Sequence, residues 1–525
     1  MATPTTSGKT SVVKQSVKMG VFTLIMMNIV AVVSLRGLPA EAEYGISSAF
    51  YYLLAALVFL IPVSLVAAEL AAMFPYQQGG MFRWVGEAFG EKAGFLGIWL
   101  QWIESTIWYP TVLTFGAVSL AFIGMDHVFD SHLAANKIYT IVVVLAIYWL
   151  ATFISLKGMG WVGKVSKIGG LVGTIAPVVI LIVCGAIYLI GGGQSQMNWH
   201  GDFIPNFSNF NNIVLAVSIF LFYAGMEMSG VHVRDIQNPT KNYPKAVIIG
   251  ALATVLIFIL GTYALGIIIP AKDINLVQSL LVGFDNYFKV FHIRWASPII
   301  AIALAFGVLA GVLTWVAGPS KGVFAVGKAG FLPPFFQKAN KNGVQKNILY
   351  IQGAAVTFLA FIMVVMPSVE SFYQILSQLT CVLYLIVYLL MFAAAIYLRY
   401  SMKNAKRPYR LGKKGNGVMW LIGGVGFIGS LVAFVFSFFP PGQIPMGSPA
   451  TWFIVLIGGT ILFVVLPFII QHYRKPSWKE SDTDFVPFHW DKSPEAQAQL
   501  AAAAKAFEEQ QAAENTGDSQ PSAKG

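Results

Sequence analysis

The amino-acid sequence predicts an all-α polytopic membrane protein of twelve transmembrane helices, and three observations carry that expectation. Apolar runs of ~20 residues or more, the length a helix needs to cross a bilayer, recur along most of the chain. Of its 525 residues 57% are hydrophobic and only 11% charged, with a mean hydropathy of +0.69. A soluble core of this size cannot hide that much apolar surface. Finally, the 34 lysines and arginines divide unevenly between alternate loops.

The spans are expected at 20–44, 48–72, 94–124, 137–156, 166–190, 211–232, 244–269, 295–325, 346–367, 372–399, 416–440 and 450–473. Several exceed the minimum length, as tilted, broken or protruding helices do. With both termini in the cytoplasm, Arg36, Lys137, Lys272, Lys289 and Arg294 fall outside and all the other basic residues inside. That is the arrangement of the positive-inside rule. The formal net charge of +11 is then an orientation signal, and no nucleic-acid partner is expected. Residues 1–19 read as a cytoplasmic N-terminal segment without a cleavable signal, 20–190 as spans one to five, and 191–210 as an extracellular loop. Residues 211–399 hold spans six to ten, and 400–473 a basic cytoplasmic loop with the last two spans. Residues 474–525 read as a cytoplasmic tail, largely disordered, with a composition that turns Ala/Gln-rich and then Ser/Gly/Pro-rich. Cys184 and Cys381 lie in apolar helices and carry no redox information.

In the first span, Ser34, Arg36, Gly37 and Pro39 interrupt a segment that has to cross. Proline removes a helix donor, and Gly37 makes a break cheap. Arg36 needs a carboxylate or a route to water. Glu41 and Glu43 are near in sequence, Glu104 and Glu227 are the deeper candidates, and the plain alternative places Arg36 in the outer vestibule as a stop signal. Glu69 leads into a tight turn at Pro75, Gly79 and Gly80, followed by an amphipathic segment with Arg83 and Glu87 that reads as architecture. The third span carries Gln101 and a buried acid, Glu104, which is either a proton carrier or half of an ion pair with Arg36. Its neighbours Trp102, Trp108 and Tyr109 read as packing or interface belt.

The sixth span ends on Leu221-Phe-Tyr-Ala-Gly-Met-Glu-Met-Ser229 and runs into a polar stretch with His232, Arg234, Asp235 and Asn238. Glu227 is thus a carboxylate inside a membrane helix, two residues after Gly225. An intramembrane acid reads as functional by default; the alternative is a structural acid tying two helices together, and the roles can coexist. In the tenth span Gln374, Ser377, Gln378, Thr380, Tyr384 and Tyr388 form a polar stripe at helical spacing. Tyr384 and Tyr388 share one face and either line a cavity as a gate or pack as core tyrosines. The eighth span is rich in glycine, and the eleventh and twelfth carry no chemistry. Glycine with a polar interruption at depth in both the first and sixth spans points to inverted repeats whose broken helices meet at a midplane site.

These residues resemble the amino acid–polyamine–organocation transporters, with the bacterial glutamate/GABA antiporter branch and neighbouring permeases nearest. The resemblance covers most of residues 15–470. It rests on Glu69 through Pro75-x-x-x-Gly79-Gly80 to Trp84, Tyr223-x-Gly225-x-Glu227-x-Ser229, and Asn238-Pro239 through Tyr243-Pro244. Val316-x-Gly318-Pro319-Ser320-Lys321-Gly322, Leu332-Pro333 and Asn340-Lys-Asn-Gly-Val344 complete it. It implies a 5+5 inverted-repeat, LeuT-like core with discontinuous first and sixth helices and two appended helices. It implies that the first break binds the substrate carboxylate, here over Val33, Ser34, Arg36 and Gly37. The sixth break would receive the α-amino group, here over Tyr223, Ala224, Gly225, Met226 and Glu227. Tyr384 and Tyr388 match the branch's tenth-span tyrosines. The chain departs from the pattern at Gly311, where the antiporter carries a glutamate, and at Gly173, near which many relatives carry a lysine. Its tail shows no match to the antiporter's C-terminal plug.

The expected function is secondary active transport of amino acids across a bacterial cytoplasmic membrane, as exchange or else as proton-coupled symport or uniport, with a nutrient sensor on the same fold as a further alternative. Glu104 or Glu227 would titrate in the cycle, with Tyr384 and Tyr388 as gating candidates, and Arg36 would bias the substrate pocket toward acidic or polar side chains. A channel fits poorly, because the polar residues cluster at two breaks instead of lining a path. An enzyme is not expected, since the seven histidines lie in loops, helix ends or the tail. No metal or cofactor is expected; the partners are amino acids and the lipid bilayer, and the protein would be a monomer or homodimer.

Overall fold

In the computed structural model, residues 19–75, 80–207, 214, 216–229, 236–440, 448–480 and 485–517 are described. The structure is 78% helix; among the described residues there is no strand beyond an isolated parallel bridge from Met19 to Ile236. Gly79 of the predicted turn, and His232, Arg234 and Asp235 after the sixth span, lie outside the described residues.

Ten described helices are long and apolar enough to cross a bilayer: Val21–Ala42, Ser47–Met73, Lys137–Leu156, Gly160–Ile190, Pro239–Ile268, Arg294–Phe331, Lys346–Val365, Val369–Ser401, Gly417–Phe436 and Pro449–His472. They coincide with ten of the expected spans. The expected third span is a single helix, Glu91–Ala121, about 46 Å long at 1.5 Å per residue, whose Glu91, Lys92, Gln101 and Glu104 dilute its apolar character. The expected sixth is described as helix over Ser218–Tyr223.

Helix boundaries follow local chemistry. Pro177, Pro239, Pro298 and Pro449 sit in first turns, where a missing N–H costs nothing. Asp126, Asn136 and Ser368 cap the helices that follow them by accepting from backbone N–H groups. The most buried spans are the tenth (72%), second (67%) and eighth (67%), whereas the eleventh and twelfth are 28% and 11% buried and lie at the rim. Glu91–Ala121 packs along both the eighth and the tenth helices. The fifth and eighth helices touch backbone to backbone, so a Cβ on Gly173 would lie 2.3 Å from the Gly307 Cα. Large apolar side chains such as Leu57, Ile138, Phe358 and Leu421 cover the outside of the bundle, as a lipid-facing surface requires.

At one end of the bundle an ionic clamp ties the second helix to the tenth. Arg399 grips both carboxylate oxygens of Glu69, at 2.7 and 2.6 Å, and Arg407 Nε lies 3.4 Å from the same group. The Leu411 N–H adds a fourth contact at 2.8 Å.

Much of the tail expected at 474–525 makes defined contacts with the bundle or is helical. Arg474 pairs with Glu91 at 2.7 Å and lies over the Phe331 ring. Arg83 donates to the carbonyls of Val486 and Pro487, and Glu87 accepts from the His489 N–H at 3.0 Å. Phe488 fills the space above Gly86, where a Cβ would come within 2.5 Å of its ring. Residues Pro494–Gly517 form a helix, because Ala, Gln and Glu are strong helix formers even without an apolar face.

Candidate functional site

The first and sixth helices both lose their hydrogen-bond ladder, and the two breaks meet. Helix Val21–Val32 stops at Val33, and Val33 and Ser34 are extended (ψ 111° and 109°) before a short turn Leu35–Gly37 restarts the helix as Leu38–Ala42. Across from it, Ser218–Tyr223 stops at an extended Ala224 (ψ 149°), and Gly225 takes φ +112°, a conformation glycine adopts at little cost. The breaks are in contact: a Cβ on Gly37 would fall 2.7 Å from the Phe222 ring, and one on Gly225 would approach Trp315 at 3.0 Å and Val32 at 3.5 Å. A helix that stops exposes its last carbonyls, and one that restarts exposes its first N–H groups. Both kinds of group are therefore available within a few ångströms of each other.

A small cavity of ≈ 30 Å³ lies at this junction. Ser34, Arg36, Glu104, Ala224 and Tyr384 line it, together with Trp108, Phe222 and Trp315. A neighbouring cavity of ≈ 40 Å³ is lined by Val33, Ser34, Gly173 and Gly311 among others, between the first, third, fifth and eighth helices.

Glu227 is anchored, not free. Its Oε1 accepts from Gln101 Nε2 at 3.1 Å and from the Tyr384 hydroxyl, and its Oε2 accepts from the Tyr388 hydroxyl at 2.7 Å. Tyr388 in turn accepts from the Gly225 N–H at 2.8 Å. The stacked rings of Tyr384 and Tyr388, 4.7 Å apart, thus pin the sixth-helix break to the tenth helix. Both tyrosines are hydrogen-bonded to Glu227, and Tyr384 also lines the cavity.

Arg36 corrects two expectations. It forms no ion pair with Glu104 or any other described carboxylate, and it does not reach an exposed vestibule, being 2% exposed. Its Nη1 donates to Thr111 Oγ1 at 3.3 Å, and its guanidinium lies 5.3–5.6 Å from the rings of Trp108, Phe222 and Tyr373. Its Nε has no hydrogen-bond partner. Aromatic faces attract a cation but do not replace an anion. Glu104 keeps one buried oxygen, Oε1, without a partner.

Of the predicted residues, Ser34, Arg36, Glu104, Ala224 and Tyr384 line the central cavity, and Val33, Gly37, Tyr223, Gly225, Met226, Glu227 and Tyr388 do not. Tyr223 turns toward Tyr52, donating to its carbonyl at 3.3 Å, and packs on Phe258. Met226 is buried against Gly250 of the seventh helix. Conversely, Phe222 and Trp315 line the site without having been singled out, and Trp108 had read as packing. Their helical positions carried no polar signal that would distinguish them from core.

The amino acid permease family profile matches residues 19–462. The chain belongs to the amino acid permease family. It is 40% identical to an uncharacterised transporter of Legionella pneumophila over 86% of this chain and 96% of that one. It is 31% identical to the glutamate/gamma-aminobutyrate antiporter of Lactococcus lactis, over 90% and 93% of the respective chains. An aspartate/glutamate permease of the same species is 22% identical over 85% and 94%. Family and relatives are transporters, not enzymes. In this permease-family chain the two glycine departures differ in kind. Gly173 is closed off by the Gly307 backbone, whereas a Cβ on Gly311 would meet nothing within 4 Å.

Proposed function

We propose that the protein exchanges amino acids across the bacterial cytoplasmic membrane by alternating access. Twelve helices would form a 5+5 inverted-repeat core with two appended helices, and both termini would be cytoplasmic. The substrate's α-carboxylate meets N–H groups at Ser34–Gly37, and its α-amino group meets carbonyls at the sixth-helix break. The observation that supports this reading is the cavity between two broken helices that is lined by the buried guanidinium of Arg36, which no described carboxylate pairs. The Arg36 guanidinium there favours a substrate with a second carboxylate, such as the glutamate for which both Lactococcus relatives are named. Full-length protein in liposomes preloaded with unlabelled glutamate should take up labelled glutamate. Uptake that proceeds equally into empty vesicles would overturn exchange.

One observation favours a second reading, proton-coupled symport. Glu104 is buried, has an unpartnered oxygen and faces the same cavity, so it is placed to carry a proton with the substrate. Uptake into empty vesicles driven by an inward proton gradient, and lost in Glu104→Gln, would select it.

A further inference from the structure

The loop between the tenth and eleventh helices, residues 402–416, carries an unbalanced charge. No Asp or Glu occurs between Glu370 and Glu480, whereas seven cations lie from Arg399 to Lys414. They divide into two sets. Arg399 and Arg407 point inward: their side chains are 1% and 6% exposed, and both hold Glu69. Arg407 also donates to the carbonyls of Leu398, Met402 and Ala405 at 2.8–3.2 Å, and Arg399 to that of Leu411 at 2.8 Å. The loop is therefore wrapped around two buried guanidinium groups and is no loose tether. Lys403, Lys406, Arg410, Lys413 and Lys414 face outward and are exposed. Among the described residues a carboxylate reaches only one of these five, Lys406, at 3.4 Å from Glu508.

An aromatic ledge borders this loop. Trp420, in the first turns of the eleventh helix, donates its indole N–H to the Tyr400 hydroxyl at 2.7 Å, and Tyr400 lies at the end of the tenth helix. Tyr397, one turn earlier, packs on Phe89 with ring centroids 5.5 Å apart. All four side chains are partly exposed, by 40–53%. Rings with a polar tip favour the headgroup level of a bilayer. Past the ledge the eleventh helix turns Leu421, Ile428 and Val435 outward, the surface that hydrocarbon covers. Cations, aromatic ledge and apolar face thus follow one another in the order met on passing from water through headgroups into lipid chains.

We propose that this loop is a docking site for the headgroups of anionic phospholipids. Lysines and arginines clustered beside a membrane helix attract an anionic leaflet. Here the buried arginines already hold the cluster in shape, so little ordering is lost on binding. A headgroup phosphate meets outward cations that lack acids, while its acyl chains lie along the apolar face of the eleventh helix. A soluble phosphate has the first contact and lacks the second. The rival occupant is the chain's own tail, since Glu508 touches Lys406. The helix Pro494–Gly517 holds four acids and one lysine, a net charge of −3 against five outward cations, and its Glu509 is already paired with Lys505. The inner face of the loop carries the clamp between the second and tenth helices, so a bound headgroup steadies that clamp. None of this depends on which substrate the central cavity takes.

The test is the thermal unfolding midpoint of the full-length protein in an uncharged detergent, with dioleoyl-phosphatidylglycerol or dioleoyl-phosphatidylcholine added in equal amount. Phosphatidylglycerol should raise the midpoint at least about 3 °C beyond phosphatidylcholine. Salt at about 1 M, which screens charges beyond about 3 Å, should remove the difference. The fourfold variant Lys403→Gln, Arg410→Gln, Lys413→Gln, Lys414→Gln should keep the phosphatidylcholine midpoint, because none of the four holds Glu69, and should lose at least half of the extra rise. The milder pair Lys413→Gln, Lys414→Gln repeats the reading should the fourfold change disturb the loop. Lys338→Gln with Lys341→Gln, exposed on another loop, should leave the rise intact, and soluble glycerol phosphate should give none. Equal midpoints in the two lipids, a rise that resists salt or survives both loop variants, or one matched by glycerol phosphate would overturn the site. So would a rise lost equally in the Lys338 and Lys341 variant. A response that emerges only in Glu508→Gln would give the loop to the tail instead.

Discussion

At Gly225 and Glu227 single residues decide whether the sixth helix can break. Gly225 holds φ +112°, which costs a residue with a side chain about 1–3 kcal/mol, and its Cβ would also crowd Trp315 at 3.0 Å. Gly225→Ala is therefore expected to lower transport at least about tenfold, measured as initial uptake rate in liposomes. Tyr388 both donates to Glu227 and accepts from the Gly225 N–H. Tyr388→Phe leaves that N–H bare at a cost of about 1–3 kcal/mol and should lower the thermal inactivation midpoint in detergent. Tyr384→Phe, which removes one donor and no acceptor, should do so less. The carboxylate of Glu227 was legible in the sequence as an intramembrane acid. Its partners were partly so, because the tyrosine pair four residues apart declared a common face while nothing in the order of residues aims that face at Glu227.

On the scale of elements, the two breaks were the most legible part of the fold, since glycine and proline act through their own backbone. What surrounds them was less so. Arg36 was expected to find a carboxylate, and instead it lies among rings from the third, sixth and tenth helices, an environment assembled from residues 72 to 337 positions away by sequence. The place of the tail was not legible for the opposite reason: its composition is polar, and its contacts with Arg83, Gly86, Glu87, Glu91 and Phe331 leave no mark in the order of residues. Limited proteolysis should accordingly spare residues 485–492 in the wild type and cut there in Arg83→Ala. The Glu69–Arg399 clamp holds the second helix to the tenth with side chains only 3% and 1% exposed. Glu69→Gln leaves a guanidinium buried and unpaired, which costs about 3–5 kcal/mol and should reduce the yield of folded protein more than any cavity substitution named above.

For the whole molecule the decisive pattern was the coarse one. Apolar length and the one-sided distribution of basic residues survive any detail of packing, which is why ten of the expected spans coincide with helices that can cross a bilayer. Their orientation is open to a direct test. Cys184 and Cys381 are buried, 7% and 1% exposed, and should give little background to a membrane-impermeant maleimide. A cysteine at Lys272 should label in intact cells, and one at Lys413 only after the membrane is opened; the reverse pattern would invert the topology.

The contact between Gly173 and Gly307 also constrains what this chain can become. Any side chain at position 173 would meet the backbone of the eighth helix 2.3 Å from its first carbon, and one at position 307 would meet the fifth helix at the same distance. Both residues have to stay glycine for the two helices to lie this close, so a side chain added at either position acts as a wedge that sets the spacing of the fifth and eighth helices.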